Sequence, residues 1–159
     1  MDLLPLSELR EEQIKEFFIQ YWGSTEMVLS TGVYDCLKLE GFAVQDEYQS
    51  LVGLLTFIMK DKECEIVSLD SVIEGKGIGS RLMHKVEGHA RTKGCRSIKL
   101  ITTNDNLHAL GFYQKRGYVL TKLYPDVVKE ARKIKPEIPL VSENGIPIRD
   151  ELLLEKSLV

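Results

Sequence analysis

The sequence predicts an α/β (α+β) fold, a mixed and largely antiparallel central sheet with one parallel crossover and flanking helices. Three observations lead there. Between residues 41 and 72 the apolar pattern reads as three strands in succession, the first two joined by a polar turn at residues 45–50 into an antiparallel hairpin. A glycine cluster, Glu74-Gly75-Lys76-Gly77-Ile78-Gly79-Ser80, separates the third strand from an amphipathic helix. A further strand follows at residues 96–102, and strand, loop, helix and strand make a right-handed crossover between parallel neighbours. At 159 residues the chain has the length of a single domain, residues 1–159, large enough for a real core and too short for two nucleotide-binding halves.

Composition narrows the function. Hydrophobic residues make up 43% and charged residues 28%, with a net charge of −3, so a general nucleic-acid or membrane-surface binder is excluded and the expected partner is small or locally recognised. There is no 18-residue apolar run, and Met1-Asp2-Leu3-Leu4-Pro5 is too short and too acidic for a signal peptide, so a cytoplasmic location is expected. Cys36, Cys64 and Cys95 are odd in number and far apart, with no pair at metal-ligand or redox spacing; buried free thiols and no metal are expected.

The elements follow in order. Leu6, Leu9, Ile14, Phe17, Phe18 and Tyr21 recur at near-helical spacing, which predicts a first helix over residues 6–21 with Ser7 as N-cap and Glu8, Glu11 and Glu12 at its positive end. Glycine stops it at Trp22-Gly23-Ser24, leaving the only tryptophan at a turn, where it either joins the core or walls a substrate pocket. Residues 27–34 suggest a short extended piece and a turn, without a definite element. The third strand, residues 64–72, carries Glu65, Ser68, Asp70 and Ser71; strict alternation sets Glu65, Val67, Leu69 and Ser71 on one face, against Ile66, Ser68 and Asp70 on the other. Neither face is purely apolar, which suggests that this strand borders the reacting end of a ligand.

In the helix after the glycines, Ile78, Leu82, Met83, Val86 and Ala90 form the buried stripe, and Gly94 stops it. His84, His89 and, on the next helix, His108 read as surface or satisfied residues. An Asx residue of the run Asn104-Asp105-Asn106 is expected to cap a short helix that ends at Gly117, and a strand is expected at residues 118–124. Beyond it lie a short helix to about Ile134, the breaker Lys135-Pro136-Glu137-Ile138-Pro139, an Asn144-Gly145 turn and a last strand at residues 151–155; this tail is expected to cover a cleft or to make a homodimer contact.

Three glycines in five residues let the first N–H groups of a helix approach a phosphate closely. The spacing fits neither a P-loop, which needs four residues before Gly-Lys-Ser/Thr, nor a dinucleotide fingerprint. A plain strand–helix turn would need about one glycine.

These residues resemble the GNAT superfamily of N-acetyltransferases. Its signature Gln/Arg-x-x-Gly-x-Gly/Ala is similar to Glu74-Gly75-Lys76-Gly77-Ile78-Gly79, and its Asn-x-x-Ala-x-x-x-Tyr-x-x-x-Gly-Phe/Tyr is similar to residues 106–118, with Asn106, Ala109, Tyr113, Gly117 and Tyr118 in place. The resemblance covers residues 41–124. Two departures are Glu74, which puts a carboxylate where the family has a donor, and a short turn after Ser71. The resemblance implies acetyl-CoA as cosubstrate, its pyrophosphate on the backbone of Gly75, Lys76, Gly77, Ile78, Gly79 and Ser80, and its pantetheine arm along the third strand at Leu69, Ser71 and Val72. It implies a cofactor contact from Asn106 and, at the position of the family's proton donor, Tyr113. Lys115 or Arg116 would meet the adenosine phosphate or lie solvated. A base must free the amine's lone pair; Glu65-Ile66-Val67 resembles the element that supplies it in histone-acetylating relatives, and Asp70, nearer the loop, competes: with Glu65 facing the pocket and Asp70 the other side Glu65 is the base, directly or through water, and a bulge would exchange their roles. The acceptor is expected at Trp22, Gly23 and Ser24 as a small-molecule amine, a cationic one given the nearby carboxylates. A protein N-terminus or lysine, and a non-catalytic acyl-CoA sensor, are the alternatives.

Overall fold

The structure is a computed structural model that describes residues 1–159. The chain forms two compact units: Met1–Met27, Tyr34–Ile98 and Leu158–Val159 make the first, and Val28–Val33 with Lys99–Ser157 make the second. No helix is long and apolar enough to cross a membrane.

The first unit is built on four antiparallel strands in the order β1 (Asp2–Pro5), β4 (Glu40–Gln45), β5 (Leu51–Lys60) and β6 (Glu63–Ser71). The expected hairpin is β4–β5. β1 escaped sequence reading because it is four residues long and ends in Pro5, which cannot donate to a ladder. It pairs with β4 from Asp2↔Gln45 to Pro5↔Phe42.

The first helix starts later than its periodicity predicts. Leu6–Glu8 forms a single 3-10 turn closed by Leu9 N–H to the Leu6 carbonyl at 3.0 Å, and Leu9 then adopts an extended conformation that interrupts helix propagation. α1 therefore runs over Glu11–Trp22, with Arg10 in the N-cap position and no capping side chain, so Ser7 is not its cap. Leu6 stays behind as a core residue under Gly41, where a Cβ would come within 2.7 Å of its Cδ1. Gly23 ends α1 in the left-handed region at φ 73°. The undefined stretch that follows is a small hairpin, β2 (Glu26–Leu29) and β3 (Gly32–Asp35).

α2 (Ile78–Thr92) buries the stripe read from the sequence, Ile78, Leu82, Met83, Val86 and Ala90. Its N-terminal turn lies over Gly53 of β5, where an added methyl would run into Ile78 Cγ2. Its His89 ring packs on Phe42 and Phe57 with centroids 5.5 Å apart in each pair. After α2 the chain enters β7 (Ser97–Thr103) beside the start of β6: Arg96 N–H donates to the Lys62 carbonyl at 2.8 Å and the Ser97 hydroxyl to Glu63 at 3.4 Å. The two strands thus begin side by side and run parallel, as a crossover requires.

In the second unit β7 continues to α3 (Leu107–Lys115), then β8 (Val119–Tyr124), α4 (Val128–Ile134) and β9 (Glu151–Ser157), with β9 antiparallel to β8. The tip of the β2–β3 hairpin belongs here: Ser30 donates its backbone N–H and its hydroxyl to Glu151 Oε1 at 2.8 and 2.6 Å. Asn104 Oδ1 accepts from the backbone N–H groups of Arg149 and Asp150, which fixes the start of β9.

Candidate active site

The glycine loop leaves β6 abruptly. Val72 N–H still donates to Val52 O at 2.9 Å, and the Ser71 hydroxyl turns back onto Ile73 O at 3.1 Å. Gly75 and Gly77 then take φ values of 74° and 69°, which non-glycine residues reach only under strain. Gly77 is the N-cap of α2 and so provides no side-chain acceptor; the first helical bond runs from Arg81 N–H to the Gly77 carbonyl at 3.0 Å. The next helix is a useful contrast, since Asn106 Oδ1 accepts from Ala109 N–H at 3.1 Å and caps α3 itself. The N-terminus of α2 has no such cap and carries the positive end of a fifteen-residue helix dipole. Glu74, at the head of the loop, is exposed.

A bulge places the two candidate carboxylates, Glu65 and Asp70. The β5–β6 ladder pairs Leu54↔Asp70, Leu55↔Leu69 and Thr56↔Ser68, then slips one residue to Phe57↔Ile66 and Ile58↔Glu65. Val67 is the extra residue on β6. The expectation that Glu65 and Asp70 face opposite ways is therefore corrected: alternation fails across a bulge, and both point to the side of the sheet away from α2. Leu69 and Ser71 point to the α2 side, as the partners of Leu55 and Gly53.

On the shared face each carboxylate meets an aromatic donor. Trp22, in the last turn of α1, donates its indole Nε1–H to Asp70 Oδ2 at 2.7 Å. Tyr34 of β3 donates its hydroxyl to Glu65 Oε1 at 3.3 Å. Between them Thr56 and Ser68 share a buried hydrogen bond of 2.5 Å, with Cys36 Sγ 3.9 Å from the Thr56 hydroxyl. Asp70 is half-buried, and burial pushes its carboxyl up to about 6, opposed by the Trp22 hydrogen bond. Such a group is mostly ionised at neutral pH yet basic enough to accept a proton. Glu65 is 7% exposed. The thiols do not compete as nucleophiles: all three are buried outside any disulfide, and desolvation raises Cys64 to about 12.

A profile of the acetyltransferase (GNAT) family matches residues 6–118, most of the chain. This chain belongs to the GNAT acetyltransferase family. Over 158 residues, 99% of both chains, it is 51% identical to the uncharacterized protein YxbD of Bacillus subtilis (strain 168). Among solved structures it resembles an IAA acetyltransferase from Bacillus cereus ATCC 14579, at a TM-score of 0.76 and 22% identity over 98% of this chain and 99% of that one. It also resembles an aminoglycoside 6'-N-acetyltransferase complexed with coenzyme A, at a TM-score of 0.69 and 16% identity over 100% and 98%. At these identities the likeness establishes the shared mixed α/β fold.

Within this GNAT protein the first unit brings together Trp22, Glu65 and Asp70 on one face, with the loop from Gly75 to Ser80 at the end of the same strand. Gly23 and Ser24 serve the backbone there, Gly23 as the helix stop and Ser24 Oγ as acceptor for Glu26 N–H at 3.0 Å. Asn106 and Tyr113 belong to the second unit. Tyr113 is 7% exposed, edge-on to Phe112 and Tyr118 with centroids at 5.2 and 5.9 Å. Arg116 lies 3.5 Å over the Phe112 ring and donates to the Phe112 carbonyl at 2.8 Å. Sequence reading placed Ser68 with Asp70 but missed Tyr34 and Thr56 as parts of the polar face. Only the alternation of Val33, Tyr34 and Asp35 hinted at a strand presenting Tyr34.

Proposed function

We propose that this protein transfers an acetyl group from acetyl-CoA to a small, cationic primary amine by direct attack of the amine on the thioester. The observation that carries the reading is a half-buried carboxylate, Asp70, on the strand that leads within seven residues to an uncapped helix N-terminus. The chain fits the donor. Glycines at positive φ keep side chains off the loop, and the first-turn N–H groups of α2 suit a pyrophosphate, with the backbone from Gly75 to Ser80 as its cradle. The pantetheine arm runs along β6 at Leu69, Ser71 and Val72. Asn106 Oδ1 is committed to its cap, which leaves its amide NH2 for a cofactor contact.

Asp70 is the base in this reading. It removes a proton from the bound ammonium and so exposes the lone pair that attacks. Glu65, deeper and engaged by Tyr34, adds negative charge that favours a cation. Tyr113 returns a proton to the departing thiolate, a role assigned on its motif position. Trp22, Gly23 and Ser24 border the acceptor. A neighbour named as an aminoglycoside 6'-N-acetyltransferase supports a small amine, while one named as a ribosomal-protein-S18-alanine N-acetyltransferase keeps the protein N-terminus as the alternative.

The test is thiol release from acetyl-CoA over a panel of small amines, N-terminal peptides and lysine peptides, with Asp70→Asn and Tyr113→Phe alongside. Turnover with small amines is expected, and Asp70→Asn should lower kcat/KM by about 10² to 10⁴-fold. Turnover with peptides alone would move the activity to proteins. Tight binding without release for any acceptor would make the protein a sensor, and failure to bind acetyl-CoA would remove the reading altogether.

A further inference from the structure

Trp22 is two-fifths exposed, at 41%, and its indole makes one short bond to a carboxylate 48 residues away. We infer that Trp22 is a positioning residue for the proposed base: its indole N–H locks the Asp70 carboxylate in one orientation and favours the charged form. The inference rests on the reading of Asp70 as that base.

The local chemistry supports it. At 2.7 Å the contact is a charge-assisted hydrogen bond, stronger than a neutral one. Asp70 sits where burial disfavours charge, and the indole is the group that opposes burial. The other groups of this face act elsewhere. β5 presents Leu54 and Thr56, and Thr56 bonds Ser68. On β6, Glu65 lies four ladder steps away, roughly 13 Å at the usual strand rise. From β3, Tyr34 bonds Glu65, and Tyr21, next to Trp22 on α1, packs at a tilt against Phe17 with centroids 4.7 Å apart. The backbone is built for the contact too. Gly23 turns the chain out of α1 at φ 73° immediately after Trp22, so the indole projects from the last turn while the chain departs.

Trp22 is the only tryptophan, so its fluorescence reports on this bond directly. Two measurements on the full chain test the inference: the pH dependence of emission in the wild type and in Asp70→Asn, and the pH dependence of kcat/KM in both and in Trp22→Phe. The wild-type emission should titrate near 6, and the titration should vanish in Asp70→Asn. In Trp22→Phe the acid limb of kcat/KM should rise by roughly one pH unit, the worth of one hydrogen bond to a charged group. Activity would then fall about twofold at pH 7 but roughly eightfold at pH 5.5. A merely structural tryptophan would lower activity equally at all pH values, and that result would overturn the inference. So would emission that does not respond to Asp70; if the acid limb still disappears in Asp70→Asn, the base assignment survives. An acid limb unchanged in Asp70→Asn would remove both.

Discussion

Gly53→Ala is the sharpest perturbation of the link between sheet and glycine loop. Gly53 sits in β5 between Val44 of β4 and Ser71 of β6, so its backbone is held on both sides and cannot retreat. A methyl group there would overlap Ile78 Cγ2 and reach within 3.2 Å of Leu82 Cδ1. Leu82 can adjust its terminal methyl. Ile78 cannot, because Cγ2 is attached directly to a β-branched carbon and the side chain is only 1% exposed. The strain must lift the first turn of α2, the turn that follows Gly77. Overpacking of this kind costs about 1–3 kcal/mol, or roughly 2–12 °C in Tm for a chain of this size. Misplacing one or two N–H donors should weaken coenzyme A binding about tenfold. Urea unfolding with unchanged m, and titration calorimetry with coenzyme A, read the two effects. Gly88→Ala on the same helix is the control: its methyl would meet nothing within 4 Å, and it should gain roughly 0.5–1 kcal/mol. A Gly53→Ala protein as stable as the wild type and binding coenzyme A equally well would refute the packing argument.

Further outcomes follow from single residues. Asp70 holds its proton more tightly in the folded chain, about 6 against 3.8, so it costs stability as pH rises from about 4 to 6 and the cost persists above; Asp70→Asn should be more stable by up to ~3 kcal/mol at pH 7 while losing activity, as unfolding at pH 4 and pH 7 would check. Glu151 is 3% exposed and receives both donors of Ser30, so Glu151→Ala should cost about 1–3 kcal/mol and speed amide exchange at Ser30; unchanged exchange would show that the bond does not hold the hairpin tip. Cys64, raised to about 12 by burial and fully enclosed, should resist alkylation at pH 8 until the chain unfolds, and rapid modification of the native protein would contradict its placement.

What the sequence disclosed depended on whether the signal was local. The α2 stripe, the glycines at φ 74° and 69° and an Asx cap for α3 are each set within a few residues, and each was legible, although which of Asn104, Asp105 and Asn106 caps the helix was not. The start of α1 was not, because Leu6 and Leu9 fit a helical period while the turn between them serves Leu6's burial under Gly41. The Trp22–Asp70 bond joins residues 48 apart and leaves no mark in either neighbourhood. The bulge at Val67 is the instructive failure. Alternation is a property of one strand, whereas facing is a property of two: Glu65 and Asp70, five apart, belong on opposite faces of a regular strand and share a face only because the ladder slips between Thr56 and Phe57. Beyond such a slip a period-two reading inverts, and here the inversion falls between the two carboxylates whose roles depend on it.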